Sequence, residues 1–311
     1  QLVLTRFGNT GFMNFPFSRR TRIPGALLMG LVLLTPVTVL SPLQPLPVAV
    51  AVVDDPPKPI SPVGYPIVDG KQDTNNPIEN SDLLKAPDYD STSSSLGTHW
   101  ADERVIDDDD RAQIEDTTRA PYRWIGKIEF THGNAGKAHC TGALVGSDTV
   151  LTAGHCFAQG ASDIVFKPGL NADTEHFPAA QATEVWYDKN GPRLGNDWAI
   201  MKLDEPVGNE VGWFGMTTPT DEFLTSAEAT VIGYPGDKPK GTVWQDRNKV
   251  VKYTDTVVNY LADTFNGQSG APVIDNNAVI YGIHNGGALH NGGQRITKDL
   301  FSAIVNISEL D

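Results

Sequence analysis

The chain has 311 residues, 38 acidic and 24 basic, for a formal net charge of −14. That balance argues against a nucleic-acid partner, which calls for a basic face, and against long-range steering of acidic ligands. The charge is not spread over one uniform fold, because composition changes sharply along the chain.

Arg19, Arg20 and Arg22 precede an almost wholly apolar run from Ala26 to Leu40, and Ala49-Val50-Ala51 supplies small residues for cleavage. Residues 1–51 therefore read as a secretion signal, with 1–12 an upstream extension because Met13 directly precedes the pattern. The apolar run is about fifteen residues and is broken by Pro36, too short for a comfortable span, so no stable membrane insertion is expected. A retained anchor is the alternative. Residues 52–104 are rich in Pro, Asp, Ser and Asn and carry 4 basic and 10 acidic residues. With few apolar residues at a helix or strand period, this stretch is expected to be largely disordered.

From 105 to 311, short β-rich runs recur, each ended by Gly, Pro, Asn or Asp. They are Ile125 to Phe130, Thr141 to Val145, Asp163 to Phe166, Ala182 to Tyr187 and Trp198 to Leu203. A second series follows: Thr230 to Gly233, Lys249 to Asn259, Ala271 to Ile274 and Val279 to Ile283. The pattern predicts an all-β barrel or sandwich. Only the end reads as helix, capped by Thr297 with Leu300, Phe301, Ile304 and Val305 on one face. There is no internal repeat, phosphate loop or H-E-x-x-H spacing.

Three segments carry chemistry. In Thr152-Ala153-Gly154-His155-Cys156, a histidine ends an apolar run, and a bridge from Cys156 to Cys140 would staple its loop to a neighbouring strand. Such a staple suits a general base, which must be held still. Asn196-Asp197-Trp198-Ala199-Ile200-Met201-Lys202-Leu203 puts an aspartate before an alternating strand, and Gly267-Gln268-Ser269-Gly270-Ala271-Pro272 puts a serine among glycines. In this order, 42 and 72 residues apart, the three resemble the catalytic segments of chymotrypsin-like serine proteases. The resemblance covers nearly all of 105–311. It implies two antiparallel six-stranded β-barrels, a short C-terminal helix and a site in the cleft between the barrels. It gives Ser269 as nucleophile, His155 as base, Asp197 as the group that orients it, and the N–H groups of Gly267 and Ser269 as oxyanion donors. Between a signal and a protease domain, 52–104 reads as a propeptide, with a disordered spacer as the alternative.

A second set narrows the resemblance. Tyr281-Gly282-Ile283-His284-Asn285-Gly286-Gly287 puts a histidine at the pocket wall, and Thr264 precedes Ser269 by five residues. Val105-Ile106 followed by Arg111-Ala112-Gln113-Ile114-Glu115-Asp116-Thr117-Thr118 resembles the mature N-terminus of bacterial glutamyl endopeptidases. That family implies a pocket in which His284, Thr264 and the new α-amino group of Val105 bind a substrate glutamate. It implies activation by a cut after Arg104; a self-inflicted cut after Glu103, leaving Arg104 first, competes with it. Asn285 stands where close relatives are expected to carry a large aromatic.

The expectation is thus a secreted, extracellular, monomeric serine endopeptidase that cleaves protein or peptide substrates after Glu, less readily after Asp, once another protease has removed its propeptide. No cofactor is expected. A structural calcium at Asp107 to Asp110 rests on carboxylate density alone, and a solvated surface loop is the plainer reading. His99, His132, His139, His176 and His290 share no spacing and read as surface residues. The same fold with another specificity, or a catalytically silent binding module, are the alternatives.

Overall fold

The computed structural model describes residues 59–84, 103–158, 160–287 and 289–310. The expected signal sequence lies outside the described residues, as do the 52–58 and 85–102 parts of the expected propeptide. Among the described residues no helix is long and apolar enough to cross a membrane.

Two closed β-barrels form the body. The first is built from β1 (Pro62–Val68), β2 (Lys71–Gln72), β4 (Ile125–His132), β5 (Lys137–Leu144), β6 (Thr149–Thr152), β7 (Ala161–Pro168), β8 (Ala180–Asp188) and β9 (Ala199–Leu203), while β3 (Ala112–Ile114) crosses to the second. The ring order is β1-β2-β7-β4-β5-β6-β9-β8, with β7 and β8 also paired directly. Six strands therefore close on themselves, as expected, and β1 and β2 add a second bridge between β8 and β7.

That addition corrects the expectation for 52–104. Residues 62–66 pair antiparallel with 184–188 of β8, and Ile60, Val63 and Leu83 are buried. The segment has too few apolar residues to form its own core. It folds because β8 runs past its pairing with β7 and leaves an edge to be covered.

The second barrel contains β11 (Glu228–Gly233), β12 (Val243–Tyr253), β13 (Val257–Tyr260), β14 (Pro272–Ile274), β15 (Val279–Gly287) and β16 (Asn291–Arg295), closed by β15–β16 pairing. The short β10 (Gly215–Met216) pairs parallel to β15, and β3 pairs with β12. The run expected as one strand from Lys249 to Asn259 is two, because Thr254 Oγ1 accepts from the amides of Thr256 and Val257 and turns the chain.

Among the described residues three α-helices complete the fold: α1 (Gly208–Val211), α2 (Asp221–Ser226) and α3 (Lys298–Ser308). Thr297 caps α3 as expected, its Oγ1 accepting from the Leu300 amide. The buried face is Leu300, Ala303, Ile304 and Ile307; Phe301 and Val305, expected on it, are half-buried. One apolar cluster includes α3 residues together with Trp198 and Ile200 of the first barrel and Tyr234 and Ile283 of the second. Burial of each such side chain contributes about 1.5–3 kcal/mol, so this shared core fixes the two barrels, and hence the cleft, as one piece.

Candidate active site

The first barrel supplies His155 and Asp197. His155 sits in a single 3₁₀ turn, Gly154–Cys156, two residues after β6. The Cys140–Cys156 disulfide ties that turn to β5, with the Cα atoms 6.5 Å apart. Asp197, two residues before β9, is 1% exposed. One of its oxygens accepts from the His155 backbone amide at 2.8 Å, and the other meets Nδ1 at 2.7 Å. A buried carboxylate is costly unless its acceptors are filled, and here both oxygens are. Burial alone would lower the His155 pKa; the Asp197 carboxylate, with Glu103 adding to it, outweighs that and raises it. A His155 ring nitrogen and the two sulfurs lie within 4.8 Å of one another, but both sulfurs belong to the bridge.

Two residues of the second barrel hold the aspartate's backbone. Asn285 Nδ2 donates to the Asp197 carbonyl at 2.6 Å, and the Asp197 amide donates to Gln294 Oε1 at 3.2 Å. The Gln294 amide donates to Asn285 Oδ1 at 2.6 Å, joining the two arms. Asn285, which departs from the aromatic expected there, thus reaches across the seam between barrels.

The serine loop is held from both sides. On the first barrel, the Thr141 amide donates to the Ser269 carbonyl and Thr141 Oγ1 to the Gly267 carbonyl, each at 2.9 Å. On the second, the Gly270 amide donates to the His284 carbonyl at 2.7 Å. Gly267 has φ +104°, and a Cβ there would stand 2.4 Å from His139 Nε2 and 2.6 Å from the Tyr234 carbonyl. His139 is therefore no ordinary surface residue; its Nε2 bonds the Tyr234 carbonyl at 2.9 Å, and burial lowers its pKa. Among the described residues the N–H groups of Gly267 and Ser269 have no protein acceptor.

Ser269 and His155 are not hydrogen-bonded to each other in this structure. Ser269 Oγ instead donates to Glu103 Oε1 at 2.7 Å. The other Glu103 oxygen lies 3.4 Å from His284 Nε2, with both side chains buried. His284 Nδ1 meets the Tyr260 hydroxyl at 2.6 Å. Burial raises the tyrosine's pKa, so the hydroxyl stays protonated; with that hydroxyl as the donor to Nδ1, the histidine N–H lies on Nε2, on the side of the carboxylate. Thr264 is fully buried, and among the described residues its Oγ1 has no hydrogen-bond partner. Its amide donates to the Arg104 carbonyl at 3.2 Å. Asn291 grips the same residue, accepting from the Arg104 amide at 3.1 Å and donating to its carbonyl at 2.6 Å.

Just beyond, Val105 is half-buried and still joined to Arg104. Asp263 accepts from the amides of Ile106 and Asp110. The acidic run is exposed, and Asp109 pairs with Arg111 and Lys238. The buried Arg111 guanidinium also binds Asp237.

The structure thus joins His155 to Asp197 and gathers Ser269 and His284 around Glu103, with Thr264 holding the next residue. Glu103, Tyr260, Asn285 and Gln294 were not anticipated in these roles. Only Glu103 carried a signal, as a glutamate just before the expected cut.

Residues 112–304 match the family model described as Trypsin, 193 of the 311 positions. The chain belongs to the trypsin family. It is 34% identical over 222 residues to the glutamyl endopeptidase of Bacillus licheniformis, covering 65% of this chain and 68% of that protein. It is also 34% identical over 214 residues to a Bacillus subtilis protein named extracellular metalloprotease, covering 64% and 68%. A solved structure described as a Glu endopeptidase in complex with MPD superposes with a TM-score of 0.60 at 30% identity, covering 66% of this chain and all of that one. The protein is a trypsin-fold serine endopeptidase related to glutamyl endopeptidases.

Two outcomes are expected for this trypsin-family protease. Gly267→Ala forces the loop away from the Tyr234 carbonyl and spoils one oxyanion donor, so kcat should fall by about 10²–10³ while the melting temperature moves little. Steady-state kinetics beside a thermal melt checks this; an unchanged kcat would show that the loop tolerates the Cβ. Only a neutral imidazole accepts the serine proton, so kcat/KM should fall as pH drops through a His155 pKa above the ordinary 6.5. Asp197→Asn, which removes the main raising charge, should shift that limb to lower pH as it lowers the rate, and a pH–rate series on both proteins reads the shift.

Proposed function

We propose that this protease is a secreted endopeptidase that cuts after glutamate, less readily after aspartate, and is made as a zymogen. The observation that carries the reading is Glu103: a glutamate carboxylate of the chain itself, buried between Ser269 Oγ and His284 Nε2. The site accepts a glutamate side chain because a buried carboxylate needs donors. His284 offers an N–H whose direction Tyr260 sets, and Thr264 offers a buried hydroxyl with no other partner. The likeness to a glutamyl endopeptidase supports the same specificity.

In the uncut chain the pocket is filled and the serine proton points to Glu103 rather than to His155. Ser269 touches the Glu103 carboxylate, so this contact makes Glu103 an occupant of the pocket. A cut after Arg104, whose side chain is exposed, separates Glu103 from the domain and leaves an α-amino group on Val105. An anion is removed from the pocket and a cation is left beside it. Ser269 is then free to pass its proton to His155 as it attacks the substrate carbonyl. Asp197 stabilises the imidazolium, and the amides of Gly267 and Ser269 meet the oxyanion. Signal removal and the activating protease act before this step.

On the processed enzyme, peptides differing only in the residue before the cut should rank Glu first, Asp lower, and Gln and Leu far below. Equal rates for Glu and Gln would defeat the glutamate reading. His284→Ala should reduce the Glu rate at least tenfold more than the Gln rate. In the intact chain, with Arg104→Gln to block processing, Glu103→Ala should speed fluorophosphonate labelling of Ser269 at least tenfold. Labelling no faster than in the Arg104→Gln parent would show that Glu103 does not hold the site shut.

A further inference from the structure

We infer that residues 59–84 stay bound to the protease domain after the chain is cut, as a second, non-covalent chain that braces the histidine loop. The inference rests on the proposed cut before Val105. It concerns a part of the protein outside the 112–304 family match, so the trypsin fold does not supply it.

The contact is a continuous interface. Five residue pairs join β1 to β8, from Pro62 opposite Asp188 to Pro66 opposite Glu184. The Pro62–Asp188 end of this ladder is fastened twice, by the Ser61 amide to Asp188 Oδ2 at 2.7 Å and by the Lys189 amide to the Ser61 carbonyl at 2.9 Å. Gly64 lies flat on the Trp186 indole: a Cβ there would come within 2.5 Å of the ring. Trp186 itself is fully buried. Tyr65 stacks at a tilt on Tyr187, ring centres 5.2 Å apart. Farther along, Leu83 is buried, and its carbonyl accepts from Asn306 Nδ2 of α3 at 2.8 Å. Removing the segment would open the outer edge of β8 and uncover an indole. Both changes are costly.

The link to the site runs through Gln72. Its Nε2 donates to the carbonyls of Phe157 at 3.0 Å and Ala161 at 3.3 Å. Lys71 pairs with Ser162, and the Asp163 amide donates to the Gly70 carbonyl at 2.7 Å. The turn at β1–β2 therefore clasps the chain immediately after His155 and Cys156. Both cysteines are used in the Cys140–Cys156 bridge, so nothing covalent would hold the segment once the chain is cut. Gln72 is a positioning residue, acting on His155 through the loop.

The test uses the full chain with a recognition site for a specific protease written into 91–97, so that cutting does not depend on the natural processing site. After digestion, the 59–84 fragment should co-elute one to one with the folded domain in gel filtration at micromolar concentration and separate only in denaturant. Amides of 184–188 should keep the hydrogen-exchange protection they have in the uncut chain. A fragment that leaves the folded domain in native buffer, or loss of that protection, would overturn the proposal. On the naturally processed enzyme, Gln72→Ala should lower kcat several-fold with KM unchanged and Gln72→Glu should not rescue it; an unchanged kcat would remove the bracing role. An N-terminus elsewhere than Val105 would count against the activation reading while leaving the co-elution result standing.

Discussion

The burial of Asp197 at the seam between the barrels is the constraint on which the site depends. An unpaired carboxylate at 1% exposure would carry a penalty of several kcal/mol, so the fold must present donors to it from fixed positions. The His155 amide and ring supply them from the first barrel. Asn285 and Gln294 then lock the aspartate's backbone from the second. Because each arm comes from a different barrel, the seam must close correctly before His155 is oriented. The shared apolar cluster under α3 closes it.

The same seam explains the serine loop. Thr141 of β5 holds the carbonyls of Gly267 and Ser269, while the His284 carbonyl of β15 holds the Gly270 amide. The serine loop and His284 are thus joined directly by two backbone hydrogen bonds, Gly270 amide to His284 carbonyl and His284 amide to Ala271 carbonyl. In the proposed function, what fills the space between them decides the state of the molecule. In the uncut chain it is Glu103, a carboxylate facing a serine hydroxyl and an imidazole nitrogen. In that proposal this arrangement joins specificity to regulation: donors proposed for a substrate glutamate also suit a glutamate of the chain itself. The proposed selectivity is local to the pocket, since a chain of net charge −14 provides no long-range steering for acidic substrates.

How much was legible varied with how local the signal was. Strand positions in 105–311 were readable because alternation and turn residues act within a few positions. The Lys249 to Asn259 run was misjudged because both its halves are β-rich, and only the Thr254 side chain breaks it. On α3 the cap was readable, but the face was off by a fraction of a turn, since the neighbouring core selects which residues go in. Residues 59–84 were unreadable as structure. Their few apolar side chains make sense only against β8 and α3, more than a hundred residues away.

By itself, the sequence determined which chemistry is available: a histidine, an aspartate and a serine in protease order, a glycine loop, a pocket histidine and a cysteine pair near the base. These are residue types in local motifs, and local motifs survive in one dimension. Only the tertiary structure decided what those groups touch. It turned Ser269 toward Glu103, set His284 against Tyr260, clamped Asp197 with Asn285 and Gln294, and made 62–68 a strand of the first barrel. Hydrogen bonds and burial are set by proximity in space, and these partners are separated by 24 to 166 residues along the chain.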